Sequence, residues 1–188
     1  APALWVGVNF ARALSCFWNK PLMPINHMAG HFYSALIAYD SSKSKQAQFK
    51  KIKFPALALL VSGAHTELAL VSGHGRFRIL GQTLDDAAGE AFDKVGRMLG
   101  FRYPGGPAIS TAAETFHFSN KHSQLKFPRP MINSKDYNFS FSGLKTAVLY
   151  FIRDSDKTNP IQKLQSVIAR AFQNAVVDVL VAKTIRAA

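Results

Sequence analysis

The chain has 188 residues, 48% of them hydrophobic and 12% aromatic, which supplies one full core or one core and part of another and excludes a disordered chain. Twenty-three Lys and Arg against eleven Asp and Glu leave a net charge of +12; this favours an acidic partner such as nucleic acid or an anionic membrane surface. It fits a solvated loop equally well, because Lys43, Lys45, Lys50, Lys51 and Lys53 share one polar stretch.

The first predicted element is a helix over residues 3–18, with Cys16 among Leu14, Phe17 and Trp18 as a core thiol would sit. One cysteine excludes a disulfide framework and suits a reducing cytoplasm. Leu22 to Ile25 reads as a short buried strand, and His27 to Ala38 as a helix capped by Asn26. Beyond the lysine-rich stretch, Pro55–Ser62 and Thr66–Val71 read as strands flanking the turn Gly63-Ala64, and Phe77–Gly81 as a third after Gly73-His74-Gly75. The longest apolar run, Phe54 to Val61, is far short of the roughly 20 residues that span a bilayer.

Asp85 and Asp86 are expected to start a helix that runs to Leu99 and is closed by Gly100, burying Ala87, Ala88, Ala91, Val95, Met98 and Leu99. The Tyr103-Pro104-Gly105-Gly106-Pro107 loop then leads to a helix over Ala108–Glu114. Phe139–Ser142 reads as extended, and two helices separated by Thr158-Asn159-Pro160 complete the chain. The last carries Leu164, Val167, Ile168, Ala171, Phe172, Val176, Val179 and Leu180 at helical spacing, with no stop signal after it. The start at Ala1-Pro2 and this uncapped end predict an internal portion of a longer protein, with the apolar face of Val176, Val179 and Leu180 left exposed. Strands joined by tight turns and followed by helices indicate an α/β or mixed α+β fold.

Four segments carry candidate chemistry. In Asn26-His27-Met28-Ala29-Gly30-His31, two histidines four apart present both imidazoles on one helix face, where they can share a divalent metal or serve as ordinary polar residues. A zinc-protease motif needs a general-base Glu where this chain has Met28. In Leu60-Val61-Ser62-Gly63-Ala64-His65-Thr66, a strand broken at Gly can aim backbone amides and a hydroxyl at a phosphate, or be a plain β-turn. Gly89 inside a helix costs about 1 kcal/mol against Ala, which points to close approach of a backbone or ligand. Asp93, further along, can accept ribose hydroxyls, while Asp86 and Glu90 read as capping or solvated carboxylates. The Pro-Gly-Gly-Pro loop can meet a purine or sugar or simply form a turn. In Phe139-Ser140-Phe141-Ser142-Gly143-Leu144-Lys145, Ser142 reads as the cap of the next helix, leaving Lys145 free to meet an anion.

Taken in order, NHMAGH, FPALALLVSGAHTELALV, LDDAAGEAFDKVGRMLGFRYPGGPAIS, FPRPM and FSFSGLKTAV resemble the bacterial TsaD branch of the threonylcarbamoyl transferases, over nearly the whole chain. The resemblance implies an actin/Hsp70/sugar-kinase-like (ASKHA) fold, present in part, with residues 1–53 completing a first lobe and 54–188 supplying second-lobe segments. It implies transfer of the threonylcarbamoyl group from threonylcarbamoyl-adenylate to N6 of the adenosine 3′ of the anticodon, in tRNAs reading ANN codons, in the cytoplasm. It also implies Fe(2+) at His27 and His31, substrate contacts at Leu60, Val61, Ser62, Gly63, Ala64, Asp93 and Gly106, and the partner proteins TsaB and TsaE.

Two departures bear on these expectations. Ala64 replaces the second Gly of the family turn and is tolerable where its φ is negative or mildly strained. The family's nucleotide-binding opening, its substrate-contacting Asn and the Asp that completes its metal site have no counterpart in these 188 residues, so the chain alone is expected to bind metal weakly and not to turn over. A non-catalytic TsaB-like scaffold lacks the paired histidines and the GEAFDK and PGGP segments, and an Hsp70-like or sugar-kinase ATPase leaves His27 and His31 unexplained.

Overall fold

A computed structural model describes residues 2–38, 48–116, 125–155 and 160–188. The chain divides into two compact units, Ala1–Lys50 and Lys51–Ala188.

The first unit opens with α1 (Pro2–Phe17), whose end is set by local hydrogen bonding. Lys20 N–H donates to the Ser15 carbonyl at 3.0 Å and Asn19 N–H to the Cys16 carbonyl at 3.3 Å, with Asn19 at φ 48°, the left-handed stop that Asn tolerates better than most residues. No residue of α1 is buried, so Cys16 is exposed rather than a core thiol. The expected strand at Leu22–Ile25 is absent as well: residues 21–26 have no regular structure, and Met23 and Ile25 are 80% and 82% exposed. Apolar character predicts burial only where another element supplies a surface, and none of the described residues covers these two segments.

Helix α2 (His27–Ser34) starts where expected, with the Asn26 side chain accepting the amides of Met28 and Ala29 at 2.9 and 3.1 Å. It ends four residues before Ala38. Ser34 Oγ donates to the His31 carbonyl, and Ile37–Ala38 (β1) instead pairs antiparallel with Gln48–Phe49 (β2). Lys43 and Lys45 lie outside the described residues; Lys50, Lys51 and Lys53 are exposed.

The second unit holds an antiparallel sheet in the order β3 (Ala56–Val61), β4 (Thr66–Gly73), β5 (Arg76–Gln82). The β4–β5 hairpin turns through His74-Gly75, where Gly75 adopts φ 70° and so avoids the steric cost a Cβ would bring. Register places Leu59 opposite Leu68 on the face that meets the helical core. Helices α3 (Ala88–Met98), α4 (Gly105–Glu114), α5 (Ser142–Ser155) and α6 (Gln165–Ala187) follow, the last preceded by a 3₁₀ turn at Ile161–Lys163. Thr158 and Asn159 of the expected separator lie outside the described residues. The result is a mixed α/β unit built on a small antiparallel sheet.

Helix α6 is the centre of the core. Its Ile168, Phe172, Val176 and Val179 are fully or almost fully buried, with Leu68, Ile109, Phe139, Phe141 and Leu144 around them, and Phe172 meets Phe92 edge to face at 5.0 Å. The expectation that Val176, Val179 and Leu180 form an exposed face is therefore wrong. Leu180 is half-buried, and the exposed apolar residues are Val177, Val181 and Ile185. Helix α4 packs along α6, and residues 129–136 tie down the C-terminal half of α6. Arg129 pairs with Asp178 at 2.8 Å, and Arg186 donates to the Asp136 carbonyl at 2.6 Å. The buried Lys183 donates to Ser134 Oγ at 2.8 Å and to the Asp136 carbonyl at 3.2 Å. No helix among the described residues is long and apolar enough to cross a membrane.

Candidate functional site

The histidine pair belongs to the first unit. Four-residue spacing on α2 turns both rings the same way, and Nε2 of His31 lies 3.0 Å from Nε2 of His27, with centroids 4.4 Å apart. A shallow depression lined by Ile25, Asn26, Gly30 and Ser34 opens beside them. At that distance the two ring nitrogens hydrogen-bond each other, one as donor and one as acceptor, and a pair of neutral imidazoles on one helix face is a donor set that suits a first-row divalent metal. The described residues contain no cluster of three or more His, Cys, Asp or Glu side chains, so the pair supplies two ligands.

The remaining candidates belong to the second unit. Leu60 and Val61 end β3, and Val61 pairs with Thr66 across the turn. Ser62 is saturated: its N–H donates to the His65 carbonyl at 2.8 Å, and its Oγ accepts the amides of Ala64 at 3.2 Å and His65 at 3.0 Å. The hydroxyl thus shapes the turn from within. Ala64, exposed, is not among the residues with positive φ, so the family Gly is replaced here without backbone strain. Gly63 is exposed, and its backbone nitrogen lies against the start of α3, 2.8 Å from where a Cβ on Gly89 would sit.

Gly89 explains itself. Its N–H donates to the Ser62 carbonyl at 3.1 Å, and a Cβ at this position would lie 2.6 Å from that oxygen and 2.8 Å from Gly63 N. The close approach inferred from the sequence is to the backbone of the candidate turn. Ala88 N–H, one residue earlier, donates to the buried Thr66 hydroxyl at 2.8 Å. Asp93 is half-buried on α3 and accepts Gly105 N–H on Oδ1 at 2.8 Å, so it caps α4 from the neighbouring helix.

The Pro-Gly-Gly-Pro segment is not a free loop. Gly105 and Gly106 form the first turn of α4, with Pro107 tolerated at a position whose N–H has no helical acceptor. Gly105 packs where a Cβ would meet the Phe92 carbonyl at 2.6 Å, whereas Gly106 has open space around it.

The acidic pair also departs from expectation. Helix α3 begins at Ala88, after Asp85 and Asp86. Asp85 instead accepts the amides of Phe141 and Ser142 at 2.8 and 3.2 Å and the hydroxyls of Ser140 and Ser142. It therefore caps α5, the role assigned to Ser142, whose hydroxyl is a donor here. Burial opposes its ionisation, but these four donors outweigh that and hold its pKa below the ordinary value. Asp86 bridges Lys94 at 2.7 Å and Lys145 at 2.8 Å, so Lys145 is paired rather than free. Burial again opposes ionisation of Asp86 and is overcome, first by Lys145 and then by Lys94. Glu90 pairs with Lys94 at 2.8 Å and takes Ala87 N–H at 3.4 Å, a structural role as read from the sequence.

Sequence reasoning missed the Thr66 hydroxyl and the Asp85 cap. Their only local signal was the presence of a hydroxyl or carboxylate in a turn, which does not name the partner.

The family profile described as "TsaD: tRNA N6-adenosine threonylcarbamoyltransferase" matches residues 1–188. The chain is 47% identical to the tRNA N6-adenosine threonylcarbamoyltransferase of Thermosipho africanus, covering 99% of this chain and 51% of that protein. It is 46% identical to those of Nitrosospira multiformis and Bacillus subtilis, over 100% and 99% of this chain and 50% and 49% of theirs. The chain spans about half the length of these curated relatives. With the profile matched over residues 1–188 and relatives of that name 46–47% identical across the chain, the chain belongs to the TsaD family of tRNA N6-adenosine threonylcarbamoyltransferases.

Proposed function

We propose that this chain carries half of a transferase that moves the threonylcarbamoyl group from threonylcarbamoyl-adenylate to N6 of the adenosine 3′ of the anticodon, in tRNAs reading ANN codons. Family membership over all 188 residues carries the proposal. In the reaction N6 attacks the carbamoyl carbon, the bond from that carbon to the phosphate oxygen breaks, AMP leaves with the electron pair, and N6 releases one proton. The exposed Gly63 and the open surface at Gly106 are the positions the adenylate would meet, and Asp93 keeps one oxygen for a ribose hydroxyl while the other holds α4. His27 and His31 would hold Fe(2+), which when bound would polarise the carbamoyl-phosphate anhydride. An ASKHA arrangement, a cytoplasmic location and cooperation with TsaB and TsaE belong to the same proposal.

The test replaces the matching half of the Bacillus subtilis relative with residues 1–188 and supplies threonylcarbamoyl-adenylate and unmodified tRNA, reading the modified nucleoside after digestion. Transfer by the chimera is expected, and so is loss of both iron and transfer in the H27A/H31A double variant. A folded chimera that transfers nothing would refute the assignment; undiminished transfer by the double variant would remove the metal from the mechanism.

A further inference from the structure

Thr66 stands immediately beyond the candidate turn and is completely buried, so it cannot itself meet a ligand. Its Oγ1 accepts Ala88 N–H at 2.8 Å, and its carbonyl accepts Thr83 N–H at 2.8 Å. With Gly89 N–H on the Ser62 carbonyl, the first two amides of α3 are held by residues on the two sides of the turn. Further along the same helix, Asp93 holds Gly105 N–H at the head of α4. The turn, Asp93 and Gly106 are thus joined by hydrogen bonds that run through the first turn of α3.

We propose that Thr66 is a positioning residue for the adenylate-binding segments: its hydroxyl locks the start of α3 onto the turn and so sets the separation between Gly63 and Asp93. The proposal rests on the substrate reading of those two groups. Removing the hydroxyl leaves Ala88 N–H buried without an acceptor, and α3 can regain a partner for it only by shifting away from the turn. A helix cap that acted on stability alone would lower the melting temperature and leave the affinity of the folded protein unchanged.

The experiment is run in the chimera of residues 1–188 with the Bacillus subtilis relative and compares it with its T66V form, which keeps the shape without the hydroxyl, and its T66S form, which keeps the hydroxyl. AMP binding is followed by calorimetry, and amide hydrogen exchange is read at Gly63, Ala88 and Gly89, with Ile168 of the core as reference. T66V is expected to lose about tenfold in AMP affinity and to exchange Ala88 and Gly89 at least about tenfold faster, with Ile168 unchanged and T66S near wild type on both counts. If T66V does not fold, T66A removes the same acceptor without filling its space and must show the same losses. T66V or T66A with wild-type affinity, unchanged protection at Ala88, or T66S as impaired as T66V overturns the proposal. A folded parent chimera that does not bind AMP counts against the substrate reading, and the exchange comparison then decides the positioning role by itself.

Discussion

Replacing Gly89 by Ala sets two effects of opposite sign against each other. Gly89 lies in the first turn of α3 with ordinary helical geometry, so helix propensity alone predicts that Ala stabilises by up to about 1 kcal/mol. The added Cβ would sit 2.6 Å from the Ser62 carbonyl oxygen and 2.8 Å from both Ser62 C and Gly63 N. All three are backbone atoms of a turn that Ser62 has already tied together, so none can rotate aside. Relief requires moving α3 from the turn, which costs about 1–3 kcal/mol as overpacking and about 1 kcal/mol for the strained or lost bond from Gly89 N–H to Ser62. The contact outweighs the propensity, and a net loss of about 2 kcal/mol is expected. Urea unfolding followed by far-UV circular dichroism measures it; tryptophan fluorescence does not, because Trp5 and Trp18 both lie in the first unit. Gly106→Ala is the control, since it also adds a Cβ to a helix but has nothing within 4 Å, and it is expected to be neutral or stabilising. A Gly89→Ala chain as stable as wild type would refute the packing of α3 on the turn.

Asp85→Ala is expected to cost about 1 kcal/mol at pH 7, the usual worth of a helix cap when the carboxylate is exposed. Because the folded pKa of Asp85 is depressed, its stabilisation is present above the ordinary carboxylate value and disappears as pH falls through the lower folded value. The gap between wild type and variant should therefore close below about pH 4 in a series of thermal melts. Lys183→Ala is expected to destabilise by about 3 kcal/mol, because it opens a cavity and strips the Ser134 hydroxyl and the Asp136 carbonyl of a buried donor. Lys183→Met, which refills the volume, should recover about half of that loss in the same melts. Burial pushes the Lys183 amine below its ordinary pKa, with Asp136 opposing, so the unfolded chain holds that proton more tightly than the folded one, and wild-type stability should rise with pH relative to that of Lys183→Met between the folded value and 10.5.

Much of the candidate site was legible because its rules are local. The spacing of His27 and His31 fixes the common face of their rings, Asn26 caps the helix that carries them, and the turn at Ser62–Ala64 follows from apolar alternation broken by Gly. The buried face of α3 followed from helical periodicity, down to Ala91 and Val95, whereas the burial of Val176 and Val179 on α6 ran against the expectation of an exposed face. What the sequence could not decide were the partners of its polar groups and the surfaces available to its apolar ones. Asp85 reads as the start of its own helix, yet it caps α5 from 57 residues away, and Thr66 supplies a cap to a helix 22 residues downstream. Phe139 and Val179 are buried and Phe17 and Ile25 exposed although all four are large apolar residues. The difference is physical: periodicity and capping depend on neighbours within one or two turns of chain, whereas a distant hydrogen-bond partner or a covering surface exists only after the elements have packed.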